Sequence, residues 1–181
     1  MRLGKALPAQ VGAVTADDAR DLGRRIAGLV RGGDLVILAG GLGSGKTTLT
    51  QGIGVGLGVR GDVTSPTFVI SRVHPSLVGG PALVHVDAYR LAGVAELDDL
   101  DLDAVVDESV TVVEWGDGIA DELAADRLRV HIARRRGDRS GPTVGNGADD
   151  PRVVTVTPVG ARWVGTGVRT IVTRGARRPS L

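Results

Sequence analysis

An eight-residue P-loop pattern is the feature that most constrains the fold of this chain. Residues 40–47 read GGLGSGKT, which fits G-x-x-x-x-G-K-T, and Thr48 follows directly. Glycines in this pattern let several backbone N–H groups turn toward a polyphosphate. Lys46 would bring positive charge to the β- and γ-phosphates, and the Thr47 hydroxyl would ligate Mg²⁺. The pattern therefore predicts a site for a nucleoside triphosphate.

The residues on both sides of the loop support this interpretation. The uninterrupted apolar run LVILA, at residues 35–39, is typical of a strand covered on both faces. After the loop, Leu49, Ile53 and Leu57 recur at every fourth position, which predicts one buried face of a helix ending near Gly58. A phosphate-binding P-loop requires this order of strand, loop and helix.

Length and composition limit the class of protein. The chain has 181 residues, a net charge of +1 and no cysteine. These values predict one domain with a substantial core, and they exclude disulfides and thiolate metal sites. The sequence shows no apolar stretch of transmembrane length and no secretory leader. We therefore expect a cytoplasmic location and no membrane partner.

Helical and strand patterns alternate along the chain. Residues 15–18 have the form of a capping box and precede an amphipathic helical pattern. Strands are predicted over residues 68–70, 82–86, 110–113, 128–132 and 153–156, the first two as a possible hairpin. This order predicts an α/β fold, a P-loop NTPase-like three-layer sandwich around a mainly parallel sheet with antiparallel hairpin additions.

One folded unit is expected to include most of the chain. Residues 1–159 are predicted to form a single P-loop NTPase domain, with a flexible Gly/Asp/Asn-rich loop over residues 137–151. Residues 160–181 are rich in Gly and Arg and are predicted to form a C-terminal tail.

Two acids are candidates for the metal-binding and catalytic positions. Asp87 and Glu114 each follow directly after a predicted buried strand, where P-loop NTPases place the acid that holds Mg²⁺. The sequence does not rank them, because it does not establish which strand lies beside the P-loop strand. Each acid also has a plainer interpretation, as a solvated residue at a strand end or as a helix cap.

Four segments, taken together, resemble the bacterial TsaE family. They read GGLGSGKTTL, TSPTF, HVDAYRL and VEWGD, and their order and spacing match the family over about residues 15–135. Members of this family are small ATPases required to form threonylcarbamoyladenosine on tRNA. The family usually has an acid at the position of Gly41 and alanine at that of Ser44, and both departures leave the loop able to bind phosphate.

The resemblance implies cofactors and a role for each matching residue. ATP and Mg²⁺ would be the cofactors, and Thr47 and Glu114 the metal ligands. Lys46 and Asp87 would be catalytic, with Asp87 orienting or activating the attacking water. Thr15, as well as an arginine among residues 134–136, would approach the adenine, and residues 64–67 would form a switch-like loop. The implied nucleotide-binding residues are Gly41, Leu42, Gly43, Ser44, Gly45, Lys46, Thr47, Thr48, Thr15, Thr67, Trp115 and Arg135.

The resemblance also implies protein partners. TsaD and TsaB homologues would form a complex that this ATPase resets or regulates, without performing the transfer itself. The arginines that collect after residue 126 could lie near tRNA. A solvated arginine-rich surface is the preferred interpretation, given the small net charge.

Other P-loop functions stay open at this point. A small-molecule or nucleotide kinase uses the same loop but needs an arginine-rich lid, and the pattern around residues 134–136 instead predicts a strand. A GTPase is disfavoured because the sequence has no N-K-x-D motif for guanine. A nucleotide-gated interaction module with incidental turnover is the non-enzymatic alternative.

Overall fold

The computed structural model describes residues 7–13, 15–66, 69–91, 107–134 and 152–175. The predicted flexible loop over residues 137–151 lies outside these ranges, as do two candidate site residues, Thr67 and Arg135.

Seven strands form one mixed sheet with the P-loop strand at its centre. They are β1 (Ala9–Ala13), β2 (Leu35–Gly40), β3 (Ser71–His74), β4 (Ala82–Asp87), β5 (Ser109–Glu114), β6 (Arg127–Arg134) and β7 (Arg152–Val159). Their order in the sheet is β1-β7-β6-β2-β5-β4-β3. The central strands β6, β2, β5 and β4 are parallel, and antiparallel pairings add β7 and β1 at one edge and β3 at the other. The predicted α/β fold is confirmed, with parallel pairing confined to the centre.

The α-helices of the described ranges are α1 (Ala16–Ala27), α2 (Lys46–Leu57) and α3 (Val168–Thr173). Helix α1 begins with the predicted capping box, in which Thr15 and Asp18 bond to each other's backbone N–H groups. Helix α2 buries the predicted face and ends at Gly58 in the left-handed conformation. None of the helices in the described ranges has the length and apolar composition needed to cross a bilayer.

Apolar side chains are buried on both faces of the sheet because the side chains of a strand alternate in direction. Val36 and Leu38 of β2 join a large cluster with residues of α1, α2 and α3. Leu35 and Ile37 point the other way, into a cluster with β4, β5 and the turns near residues 88–91 and 119–124. Helices, sheet and turns thus give the three layers that the sequence predicted.

Helices α1 and α2 pack backbone against backbone. A Cβ atom added at Gly52 would lie 2.2 Å from the carbonyl oxygen of Arg20, and one at Gly23 would lie 2.3 Å from that of Leu49. Real Cβ atoms essentially never approach another heavy atom within 3.0 Å. Glycine is therefore required at both positions, and the helix that follows the P-loop is fixed directly against α1.

The predicted strand at residues 68–70 is wrong at Val69 and Ile70, and Phe68 lies outside the described residues. Strand β3 begins at Ser71, and Val69 and Ile70 instead lie in a turn whose N–H groups bond to the Pro66 carbonyl oxygen. Val69 has a high β-propensity, but its side chain is 56% exposed and is not buried here. Local turn geometry after Pro66 outweighs the preference of these residues for a strand.

The C-terminal segment packs into the core, in contrast to the expected tail from residue 160. Trp163 is 1% exposed, and Val168 and Val172 belong to the large cluster. Arg162 Nη2 also donates to Oδ2 of the buried Asp34 at 2.9 Å. The core therefore extends beyond residue 159, because three apolar side chains outweigh the Gly/Arg-rich composition around them.

Candidate functional site

A cavity of about 260 Å³ opens at the carboxyl ends of β2, β4 and β5. P-loop residues 42–48 line it together with Ser65, Asp87, Glu114 and Trp115. Open α/β sheets bind ligands at this edge. A larger cavity of about 430 Å³ lies beside α2 and residues 59–64, but no P-loop residue lines it. We assign the site to the smaller cavity because the phosphate-binding pattern and both candidate acids converge there.

The start of α2 is shaped to receive an anion. Gly45 is the N-cap, with φ 103°, a conformation that residues with a side chain rarely adopt. Within the described residues no side chain caps this helix end, and its first turn contains no acid. The first N–H groups of α2 therefore lack side-chain acceptors, and the helix dipole favours negative charge at this position.

Lys46 supplies a buried cation to the cavity. Its Nζ donates to the carbonyl oxygens of Gly40 at 2.9 Å and Gly41 at 3.0 Å. The same atom lies 3.7 Å from the centroid of the Trp115 ring. Burial lowers the pKa of Lys46, whereas the charges of Glu114 and Asp87 act to raise it. An ammonium group in this position can bind phosphate oxygens strongly.

Thr47 and Glu114 form an oxygen pair suited to Mg²⁺. Thr47 Oγ1 donates to Glu114 Oε2 at 3.1 Å. Mg²⁺ prefers oxygen ligands at about 2.1 Å in an octahedron, in which neighbouring ligand atoms are about 3.0 Å apart. The pair therefore fits two adjacent positions around this ion. The described residues hold no group of three or more His, Asp or Glu side chains that could bind a metal alone, so the remaining ligands would be phosphate and water.

The strand order distinguishes the two acids. Glu114 ends β5, which lies directly beside the P-loop strand, whereas Asp87 ends β4, one strand farther away. Asp87 Oδ1 accepts the Tyr89 N–H at 3.0 Å, and Oδ2 accepts the Ser65 hydroxyl at 3.3 Å. Asp87 is thus a cap of the short 3₁₀ helix Ala88–Arg90 and also a carboxylate of the cavity.

Two strained residues border these acids. In the described part of the chain, Ile70 (φ 67°) and Trp115 (φ 60°) are the non-glycine residues with positive φ, which is costly for bulky side chains. Trp115 follows Glu114, and the Ile70 carbonyl accepts the Asp87 N–H at 2.8 Å. Trp115 also packs on Tyr89, with ring centroids 5.0 Å apart. Backbone strain therefore lies next to both carboxylates.

The other predicted nucleotide-binding residues differ in position. Ser44 and Thr48 line the cavity, and Gly41 lies outside the lining but supplies a carbonyl oxygen to Lys46. Thr15 is also outside the lining, and its hydroxyl accepts the Asp18 N–H at 3.1 Å. An adenine contact of Thr15 stays a prediction. Thr67 and Arg135 lie outside the described residues.

Several residues near the P-loop make contacts that the sequence did not predict, although the resemblance places Ser65 in a switch-like loop and Arg134 among the arginines near the adenine. Ser65 and His85 contact the two carboxylates, and His85 stands two positions before Asp87 in HVDAYRL, a spacing that could have suggested it. Arg134 Nη2 donates to the carbonyl oxygens of Leu42 and Gly43, each at 3.3 Å. Arg152 Nη2 reaches the Gly43 oxygen at 3.5 Å. Both arginines therefore support the outer side of the loop.

Comparison with known proteins agrees with this geometry. A family model described as "Threonylcarbamoyl adenosine biosynthesis protein TsaE" matches residues 13–140. A Streptomyces coelicolor protein named tRNA threonylcarbamoyladenosine biosynthesis protein TsaE is 62% identical over 145 residues, which are 80% of this chain and 93% of the relative. A Bacillus subtilis protein of the same name is 34% identical over 83% of this chain and 85% of its own. The crystal structure of Bacillus subtilis YdiB matches with a TM-score of 0.68 and 29% identity, over 93% of this chain and 96% of that one.

Proposed function

The chain belongs to the TsaE family, and from this premise we propose that it is a Mg²⁺-dependent ATPase acting in tRNA threonylcarbamoyladenosine biosynthesis. The family model and the names of the relatives support the pathway. The observation that carries the chemistry is the Thr47–Glu114 contact beside Lys46. This arrangement joins a metal-ligand pair to a phosphate-binding cation within one cavity.

Nucleotide binding in this proposal uses the P-loop backbone and Lys46. The N–H groups of residues 43–48 and the Lys46 ammonium bind the β- and γ-phosphates, so Nζ exchanges its carbonyl partners for charged phosphate oxygens. Trp115 covers the ammonium and excludes water from it, which strengthens the attraction. Thr47 and Glu114 would hold Mg²⁺, which would neutralise the negative charge that develops on the β- and γ-phosphate oxygens.

Hydrolysis in this proposal depends on Asp87. Its carboxylate is held at both oxygens, by the Tyr89 N–H and by the Ser65 hydroxyl. A carboxylate fixed in this way can orient a water and accept its proton as the water attacks the γ-phosphorus. The bond to the β–γ bridging oxygen then breaks, which gives ADP and phosphate. We further propose, from family membership alone, that TsaD and TsaB homologues are partners and that turnover resets or regulates their complex.

Titration calorimetry with ATP and Mg²⁺ tests the phosphate site. Lys46→Ala is expected to weaken ATP binding at least tenfold because the cation that faces the phosphates is lost. Arg31→Ala removes an exposed cation away from the cavity and is expected to leave affinity unchanged. Equal affinity of Lys46→Ala and the wild type would reject the P-loop assignment.

A pull-down with purified TsaD and TsaB homologues tests the partner proposal. A complex is expected that depends on ATP, because the proposed ATPase acts on that assembly. Absence of a complex with and without ATP, in protein that binds ATP by calorimetry, would reject the partners but not the nucleotide site.

A further inference from the structure

A fully buried histidine lies behind the proposed metal ligands. His85 is 0% exposed, and its Nε2 lies 2.8 Å from Glu114 Oε1. The other oxygen of Glu114, Oε2, accepts the Thr47 hydroxyl. The three side chains thus form a chain from the core to the cavity, with one member each on β4, β5 and α2. His85 does not line the cavity, so it acts on the site only through Glu114.

The chemistry of the groups determines the direction of this hydrogen bond. An ionised carboxylate only accepts, so His85 Nε2 must be the donor. Nδ1 is buried and has no hydrogen-bond partner among the described residues. A proton on Nδ1 would leave a buried donor unpaired, which is costly. The surroundings therefore place the donating proton on Nε2, the nitrogen that faces Glu114.

We propose that His85 is a positioning residue that fixes the orientation of Glu114 for Mg²⁺ binding. Hydrogen bonds from behind commonly orient the carboxylates that bind metals, and their loss typically costs metal affinity. Without the His85 donor, Oε1 would be a buried acceptor with no partner, and the carboxylate would turn toward Lys46 or Thr47 to find one. This inference rests on the proposed Mg²⁺–ATP function.

Three substitutions separate positioning from simple packing. In His85→Gln, the side-chain amide reaches the position of Nε2 and keeps a donor to Glu114. In His85→Asn, the amide ends near the position of Nδ1 and is too short to reach Glu114 Oε1. His85→Leu fills much of the same volume and has no donor. All three keep the cavity lining intact.

The experiment measures ATP binding by calorimetry as a function of Mg²⁺ concentration and again in excess EDTA. His85→Leu and His85→Asn are expected to raise the Mg²⁺ concentration for half-maximal binding about tenfold or more. His85→Gln is expected to stay within about threefold of the wild type. Affinity in EDTA is expected to be the same in all four proteins, because the P-loop and Lys46 are unchanged.

The outcomes distinguish this inference from the function on which it rests. A merely structural His85 would lower thermal stability and weaken binding equally with and without Mg²⁺, which would overturn the inference. Equal Mg²⁺ titrations of His85→Asn and His85→Gln would also overturn it, even if His85→Leu does not fold. Wild-type protein that binds ATP without any dependence on Mg²⁺ would instead overturn the proposed function.

Discussion

Each charged side chain of the cavity is held by a group from another part of the fold. Lys46 of α2 lies on P-loop carbonyl oxygens and the Trp115 ring. Glu114 of β5 is bonded to His85 of β4, and Asp87 is bonded to the loop before β3. Groups fixed in this way need little reorganisation when a ligand or a transition state forms. These side chains are therefore already oriented by folding, before any ligand binds.

Asp87→Asn is predicted to retain ATP binding and to lose hydrolysis. The amide oxygen preserves the acceptor for the Tyr89 N–H, and the amide NH2 can donate to the Ser65 hydroxyl oxygen, but the amide cannot take a proton from water. Phosphate release at saturating ATP and Mg²⁺ is expected to fall about a hundredfold or more. Asp117→Asn, at an exposed acid paired with Arg129, is the matched control. Normal turnover in Asp87→Asn would remove Asp87 from the catalytic residues.

ATP affinity is predicted to fall at alkaline pH because of Lys46. Burial lowers the pKa of this lysine below its ordinary value of 10.5, so the ammonium form that binds phosphate is lost at a lower pH than for an exposed lysine. Above that pKa, affinity should decrease about tenfold per pH unit. Calorimetry from pH 7 to pH 10.5 measures this dependence. An ATP affinity that stays constant up to pH 10.5 would contradict the burial of the Lys46 ammonium group.

The sequence predicted those residues of the cavity whose position follows from their local backbone. The P-loop residues are of this kind, because the loop itself brings Lys46 and Thr47 to the cavity. Ser65 and His85 are different, since their partners lie 22 and 29 positions away along the chain. Their roles depend on which strands become neighbours, and spacing along the sequence does not give that information.

Secondary-structure elements can likewise be predicted from the local sequence, whereas their arrangement depends on distant parts of the chain. The apolar patterns of α1, α2 and the buried strands were sufficient, because burial on one face of a helix or on both faces of a strand leaves a periodic trace. The order of the strands leaves no such pattern in the sequence, since parallel strands are joined by long connections that can pass over several neighbours. Val69 and Ile70 were assigned to a strand because of their apolar side chains, although they form a turn.

The contact between α1 and α2 leads to a prediction about Gly52. Gly52→Ala places a Cβ against the Arg20 carbonyl oxygen, a backbone atom that cannot rotate away. We expect the free energy of unfolding, measured in urea, to fall by about 2 kcal/mol or more. Gly28→Ala is the control, because its Cβ would lie 3.5 Å from the nearest atom at the end of α1. Equal stability of the two variants would contradict the close approach.

The whole molecule depends on its C-terminal segment, which closes the core over α1 and β1. Trp163, Val168 and Val172 belong to the same cluster as the P-loop helix. The sequence did not reveal this because these apolar residues are few and stand between glycines and arginines. Their burial becomes visible only when the sheet and α1 are in place to receive them.

Trp163→Ala is predicted to destabilise the whole fold. Removing a fully buried indole leaves a large cavity, and urea unfolding should show a loss of about 3–5 kcal/mol. Val164→Ala, at the next position, is the control, because that side chain is 41% exposed. If both variants lose the same small amount, the segment after residue 159 is not part of the cooperative core.

The glycine-mediated contact between the two helices has a mechanical consequence. Because no side chain lies between their backbones to absorb a displacement, any shift of α2 that followed hydrolysis of the proposed nucleotide would move α1 as well. Helix α1 also bears two solvent-accessible ion pairs, Asp17–Arg20 and Asp21–Arg24. A partner protein bound at those ion pairs would then respond to hydrolysis of the proposed nucleotide without contacting the nucleotide itself.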